Sequence, residues 1–327
     1  ENSPRLRLES TANVEEPLPP GPSLEELSVV VSTEEQCASR LSEDTLRDVV
    51  RTLDTHGVVR LQRAWAADSE IVDPVAQALH ANYESLAAKL AAKGITANES
   101  FAYQQIIHRS LGRYDMSLEE HMNLGTTIPA GDEEEAAESI GIQIIQFLLA
   151  APIWKQILTA VIGADYKINF TAALHARPGA LEQKPHMDGG HLFHSTHGSM
   201  YQAPLHALQM FLPMCVTPVD RGPTEFWPGT HLASTGASPA MAPLLPSVAM
   251  ECTPGDAIIF DFRVMHRGMA NRSSKWRPVL YQTCSRNWFT DDFNFPELSI
   301  DAAEDDGKVP VHESGGPGRR SGFVRRS

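Results

Sequence analysis

The residue pattern predicts an α+β chain with a mostly β core: a helical first half leads into an antiparallel β sandwich or barrel. Two observations carry that expectation. Up to about residue 162, apolar residues recur three and four positions apart, the period of a helix with one buried side. From Tyr166 onward the period changes to short apolar runs of β-forming residues. They lie at Lys167 to Ala176, Leu205 to Met214, Ala257 to Phe262 and Val279 to Cys284, separated by Gly, Pro and Asn.

Taken in order, residues 1–22 are polar and Pro-rich and read as a disordered or surface-draped arm. Ser32-Thr33-Glu34-Glu35 has the Ser-x-x-Glu pattern of a helix start. A second helix is expected from Ser42 to Thr55, with Leu46, Val49, Val50 and Leu53 at helical spacing and Gly57 as its left-handed stop. Val58 to Leu61 reads as a strand. Residues 69–92 read as a longer helix with Ile71, Val75, Ala78, Leu79, Tyr83 and Leu86 on one side. Gln104 to Asp115, rich in polar and aromatic groups, reads either as a substrate-facing segment or as a surface loop with a local ion pair. The acidic run Asp132 to Glu135 fits a solvated helix start. Apolar helices follow at Ile140 to Ala150 and Trp154 to Ile162, broken at Pro152. Residues 301–327, polar and Gly-rich with a basic end, are expected to form a flexible tail. No linker interrupts residues 23–300, so the expected organisation is one catalytic unit, with helices over 23–165 packed on a β core at 166–290.

Bulk properties narrow the function. Hydrophobic residues make up 42% and charged residues 21%, ordinary for a soluble globular enzyme. A formal net charge of −14 argues against nucleic acid as a partner, because that binding leans on Lys and Arg. No apolar run reaches the length of a membrane span. Cys37, Cys215, Cys252 and Cys284 form no CxxC pair and read as reduced, mostly buried thiols of an intracellular, cytoplasmic protein. The first residues have no apolar signal core, and a chain opening on Glu1 is expected to be processed or trimmed, which leaves an organelle-targeting segment open.

The chemistry concentrates in Lys184-Pro185-His186-Met187-Asp188-Gly189-Gly190-His191. In extended backbone, residues i and i+2 share a side, so His186 and Asp188 can grip one metal ion. The best third ligand is His266, at the end of another apolar run. Two histidines and a carboxylate with the opposite face open form the facial triad typical of non-haem Fe(II) oxygenases. Arg277 lies eleven residues past His266. A hairpin at Asn271-Arg272-Ser273-Ser274 would return it beside the His266 strand, where its guanidinium can hold the far carboxylate of a 2-oxo acid. His175 shares strand parity with Thr171 and Ala173 and is expected to point into the barrel. His194, His197 and His206 are rival histidines read mostly as surface or supporting groups.

His186-Met187-Asp188, the run Arg221-Gly222-Pro223-Thr224-Glu225-Phe226-Trp227-Pro228-Gly229-Thr230-His231, Pro254-Gly255-Asp256, His266, Asn271-Arg272-Ser273 and Arg277 together resemble the phytanoyl-CoA dioxygenase family. Its members are Fe(II)/2-oxoglutarate-dependent oxygenases. The resemblance covers about residues 40–290 and is strongest over 170–285. It implies a double-stranded β-helix, the cupin-like jelly roll, flanked by N-terminal helices. It places Fe(II) on His186, Asp188 and His266, 2-oxoglutarate on Arg277, and O2 in the last open position. Gln209 and Thr171 are further implied contacts to 2-oxoglutarate. Gly268 stands where members carry a hydroxyl two residues after the distal histidine, so that contact is expected to be missing. The implied reaction hydroxylates or otherwise oxidises a C–H bond of a small-molecule substrate and releases succinate and CO2. His108, Arg113 and His191 are candidate substrate contacts. Two other readings stay open. One is a cupin-like metalloenzyme without 2-oxoglutarate, such as a zinc hydrolase using His186, His191 and His194 with Glu182 or Glu225 as acid/base. The other is a catalytically silent binding protein on the same fold.

Overall fold

Side-chain caps set the first helices. The computed structural model describes residues 20–96, 98–118, 133–193, 201–291, 298–302, 308–311 and 322–325. After a short strand β1 (Ser28–Val30), helix α1 (Thr33–Ala38) starts on Ser32, which forms the reciprocal capping box with Glu35. Helix α2 (Glu43–His56) starts on Ser42 and stops at Gly57, whose φ of 77° supplies the left-handed turn. Strand β2 (Val58–Gln62) follows, then α3 (Ser69–Ala92), capped by Asp68, with Val75, Ala78, Leu79, Tyr83, Leu86 and Leu90 buried along one face.

The segment Gln104 to Asp115 is not a surface loop, and its charged side chains turn inward. It forms a buried hairpin, β3 (Ile106–Ser110) and β4 (Arg113–Ser117), and its Arg109–Asp115 ion pair is internal. Helices α4 (Glu133–Leu149) and α5 (Pro152–Ile162) follow, with Pro152 in the first turn of α5, where its missing N–H costs nothing. Asp132 and the N-terminal arm through residue 19 lie outside the described residues.

The β core comprises β5 (Lys167–Ala176), β6 (Ala207–Pro213), β7 (Thr224–Trp227), β8 (Val248–Met250), β9 (Ala257–Asp261), β10 (Met265–Gly268) and β11 (Arg277–Ser285). Among the described residues an eight-stranded sheet runs β1-β2-β9-β6-β11-β5-β4-β3, and a three-stranded sheet runs β10-β7-β8. The large sheet separates two apolar layers. One face, with Ala173, Leu208, Met210, Leu212 and Leu280, packs on α3, α4 and α5. The other, with Ala172, Phe211, Phe260, Val279 and Tyr281, packs on Phe226 and Met250 of the small sheet. This is a jelly roll whose lumen lies between the sheets. The half expected to be helical therefore also contributes β1–β4, and the hairpin and β2 extend the large sheet on opposite sides. No single described helix is long and apolar enough to cross a membrane.

Within the stretch read as a flexible tail, Lys308–Val311 (β12) pairs antiparallel with Gly322–Arg325 (β13). Both carry the β-formers Val309, Val311, Phe323 and Val324, a signal that the surrounding Gly and charged residues masked.

The turn before β7 is sterically fixed. Gly222 has φ 72°, and a Cβ there would lie 2.5 Å from the Met269 carbonyl oxygen and 2.7 Å from that of Ala270. Gly222→Ala is expected to lower the unfolding free energy by about 2 kcal/mol, from left-handed strain plus displaced backbone. Urea unfolding measures it, and wild-type stability would contradict the steric argument.

Candidate metal centre

The segment after β5 meets β10 through a single antiparallel bridge. The His186 N–H donates to the His266 carbonyl at 3.0 Å, and the His266 N–H returns to the His186 carbonyl at 2.9 Å. Two paired residues project their side chains to one side, so the imidazoles lie 4.5 Å apart between ring centres. Each ring has its proton fixed by backbone. His186 Nδ1 lies 2.9 Å from the Lys184 carbonyl and His266 Nδ1 lies 3.1 Å from the Val264 carbonyl. A carbonyl only accepts, so both Nδ1 atoms carry hydrogen, which is the tautomer whose neutral form offers Nε2 to a metal. The Nε2 atoms face Asp188 Oδ1, at 4.0 Å from His186 and 3.6 Å from His266.

Asp188 is held from the other side. Gln209 Nε2 on β6 donates to Asp188 Oδ2 at 3.1 Å, and Thr283 Oγ1 on β11 donates to Gln209 Oε1 at 2.8 Å. Oδ2 is thus engaged while Oδ1 turns toward the imidazoles. Among the described residues this is the one set of three candidate ligands converging on a point, with ligand atoms within 4.8 Å of one another. The spacing is that of ligands around an ion and too long for hydrogen bonds between them. Two neutral imidazoles and a carboxylate fit Fe(II). Phe226 and Phe260 pack against the His266 ring, with centres 5.7 and 4.9 Å away, and dry that side of the site.

Away from the triad the lumen is cationic. Arg277 is buried at the start of β11, and its Nη1 donates to the Gly222 carbonyl at 2.7 Å. Burial lowers its pKa to about 10. The expected hairpin with the His266 strand is absent: β10 pairs with β7, whereas Arg277 pairs with Ala176 of β5. The connection crosses from one sheet to the other, pinned by Asn271 Nδ2 donating to the Ala176 and Lys275 carbonyls. Arg113, expected as a substrate contact, is also fully buried here. A further buried group occupies the same face. Arg109 Nε and Nη2 reach Asp115 Oδ2 at 2.9 and 2.8 Å, and Tyr281 donates to Asp115 Oδ1 at 2.9 Å.

Other expected residues sit elsewhere. Thr171 lies on the helix-facing side of β5, where its hydroxyl accepts from Gln282 at 3.2 Å, so it does not reach the lumen. His175 shares that face and stacks on Trp276 with ring centres 4.4 Å apart, near His80 of α3, rather than pointing into the barrel. His108 stacks on Tyr114 and Phe101, with one ring nitrogen on the Glu99 carbonyl and the other taking the Gly112 N–H. Neither nitrogen is left for a substrate. His191 is buried near the triad segment. The hydrolase alternative loses its acid/base, because Arg267 on the far face of the small sheet holds Glu225 at 2.6 Å and Glu182 at 3.5 Å. His194 and His197 lie outside the described residues. Arg109 and Asp115 belong to the stretch read as substrate-facing or as carrying a local ion pair, and that pair is present; Thr283 and Tyr281 are additions from the structure. Positions 277, 279, 281 and 283 share one face of an uninterrupted strand, and that parity with Arg277 was the available signal for these two.

Two outcomes follow from this geometry. Gln209→Leu should weaken metal binding by about 10- to 100-fold by freeing Asp188, measured by Co(II) titration; unchanged affinity would mean that Asp188 needs no such support. Although about a third of the His186 side chain is exposed, removal of its ring from water, and secondly the His266 ring, lower its pKa to about 4. In the metal-free protein, falling pH through the window from ordinary imidazole titration toward 4 therefore disfavours the folded state, since the unfolded chain takes up the proton first. NMR titration of the His186 ring checks this; a midpoint at or above 6.5 contradicts it.

The family model described as phytanoyl-CoA dioxygenase matches residues 54–279. Similar solved structures include the non-heme alpha ketoglutarate-dependent carbocyclase SnoK from nogalamycin biosynthesis, at 17% identity over 76% of this chain and 85% of that one, TM-score 0.48. EctD from S. alaskensis with bound Fe matches at 19% identity over 81% and 83%, TM-score 0.46. HygX from Streptomyces hygroscopicus, with nickel, 2-oxoglutarate and hygromycin B bound, matches at 11% over 76% and 89%, TM-score 0.46. The family match spans more than half of the 327 residues and brackets the triad and the start of β11, and on it the chain belongs to the phytanoyl-CoA dioxygenase family.

Proposed function

We propose that this chain is an Fe(II)- and 2-oxoglutarate-dependent dioxygenase that hydroxylates, or otherwise oxidises, a C–H bond of a small-molecule substrate, releasing succinate and CO2. The observation that carries the reading is the pairing of two features in one lumen: a His186/Asp188/His266 cluster with Nε2 atoms turned toward the carboxylate, and a buried guanidinium, Arg277, whose Nε has no partner among the described residues. In this reading His186, Asp188 and His266 hold the iron, and Arg277 holds the far carboxylate of 2-oxoglutarate. When bound, iron and 2-oxoglutarate supply the oxidising power for an unactivated C–H bond. The chain's own groups do the rest. The Lys184 and Val264 carbonyls keep the imidazoles in the metal-binding tautomer. Gln209 and Thr283 orient Asp188. Phe226 and Phe260 exclude water beside His266.

The decisive assay is succinate release from 2-oxoglutarate with Fe(II), ascorbate and a small-molecule panel. Asp188→Ala should abolish release, and Arg277→Ala should raise the apparent KM for 2-oxoglutarate by about 100-fold, the cost of losing a buried charge-assisted contact. Wild-type succinate production by Asp188→Ala would remove the ligand assignment; an unchanged KM in Arg277→Ala would remove the anchor.

A further inference from the structure

Arg113 lies opposite Ala176 on β5, and Ala176 lies opposite Arg277 on β11. Residues in one such row project to the same face, so two guanidiniums flank a methyl group, their backbones two strand spacings, about 10 Å, apart. From its place on β4, Arg113 reaches across the lumen to the small sheet. Its Nη2 donates to the Met269 carbonyl at 2.8 Å and approaches that of Leu181 at 3.5 Å. It occupies the space that a side chain at position 268 would need: a Cβ on Gly268 would lie 2.6 Å from Arg113 Cζ and Nη1. Gly268 is two residues after His266 on the same strand, so Arg113 fills a gap on the metal-facing side of β10.

The charge balance at this spot is unfinished. Among the described residues, Arg113 Nε and Nη1, like Arg277 Nε, are buried without a hydrogen-bond partner. Buried cationic donors are almost always satisfied, because an unpaired charge away from water is strongly disfavoured. The nearby acid Asp115 is already engaged by Arg109 and Tyr281. Burial, and then repulsion from Arg277, push Arg113 well below the ordinary guanidinium range. Two adjacent cations with idle donors and no described carboxylate beside them form an incomplete ion cluster whose missing member is an anion.

We propose that Arg113 is a second anchor for 2-oxoglutarate: with Arg277 it clamps the far carboxylate, taking the space left open by Gly268. This rests on the dioxygenase reading above. A two-guanidinium clamp makes the pocket selective for a diacid over a 2-oxo monoacid, because a neutral tail would leave both cations unpaired.

The test is binding rather than turnover. Fe(II)-reconstituted enzyme is titrated with 2-oxoglutarate without oxygen, following the visible absorbance of the complex, in wild type, Arg113→Gln, Arg113→Lys and Arg277→Gln. Glutamine keeps a donor for the Met269 carbonyl but no charge. Arg113→Gln is expected to raise Kd by about tenfold or more, and Arg113→Lys by about threefold or more, since lysine keeps the charge and loses the fork. Thermal unfolding adds a readout that a merely structural arginine would not give: the Tm of Arg113→Gln without 2-oxoglutarate stays level or rises, while the gain on adding it shrinks. A lowered ligand-free Tm with wild-type Kd would overturn the clamp. So would weakened binding in Arg277→Gln alone, an outcome that leaves the dioxygenase reading intact. If Arg113→Gln does not fold, Arg113→Lys decides, and a wild-type Kd there overturns the proposal. A wild-type enzyme showing neither absorbance change nor Tm gain with 2-oxoglutarate would remove the dioxygenase reading and the clamp together.

Discussion

Everything at the centre of this molecule depends on one backbone contact, the reciprocal pair of hydrogen bonds between His186 and His266. It ties an irregular segment of one sheet's connection to the short strand β10 of the other, and it fixes the relative height of two side chains that are remote in sequence. Once that pair is closed, residue parity does the rest. Asp188 falls on the side of the imidazoles, Gly268 on the side of His266, and Gln209 and Thr283 come in from the opposite sheet. The two imidazoles are thereby organised by main-chain geometry, and each imidazole proton is parked on a main-chain carbonyl. Asp188 is set by side chains instead, Gln209 and Thr283, which are themselves anchored on strands of the opposite sheet, so the site is preorganised from both sides.

The lumen is divided by polarity. Aromatic rings line it around His266, with Phe211, Phe226, Phe260 and Tyr281 in one cluster. Guanidinium groups line it toward Gly222 and Gly268. Between the two, the Arg109–Asp115–Tyr281 group satisfies itself, so it adds polarity without net charge. The positive character of the lumen therefore comes from Arg113 and Arg277, in surroundings of low dielectric where Coulomb attraction is strong.

Much of this was legible in the sequence, and the failures have a common cause. The runs at 167–176, 207–213, 257–261 and 277–285 stood out because they are long and apolar, and the triad stood out because His-x-Asp follows one such run across a loop and His266 ends another. Which face of a strand meets the lumen was not legible. β5 is covered on both sides, so its alternation carries little polarity contrast, and Thr171 and His175 were assigned to the wrong layer. The hairpin at 106–117 inverts the usual rule: its charged residues Arg109, Arg113 and Asp115 point into the barrel and its Tyr114 and Met116 point to the helices, so it resembled a polar loop. Strands β7, β8 and β10, at three or four residues, are too short to leave a periodic signal.

The way the large sheet is closed has a practical meaning for anyone cutting this chain. Its β9 is flanked by β2 and its β5 by β4, so both ends of the barrel's main wall are supplied from the first 117 residues. A fragment starting at Tyr166 would bare two raw strand margins and the greasy surface of Ala173, Leu208, Met210, Leu212 and Leu280. Exposed margins of that sort recruit other chains. The barrel is therefore not a detachable module, and the leading segments act as its built-in guard against self-association.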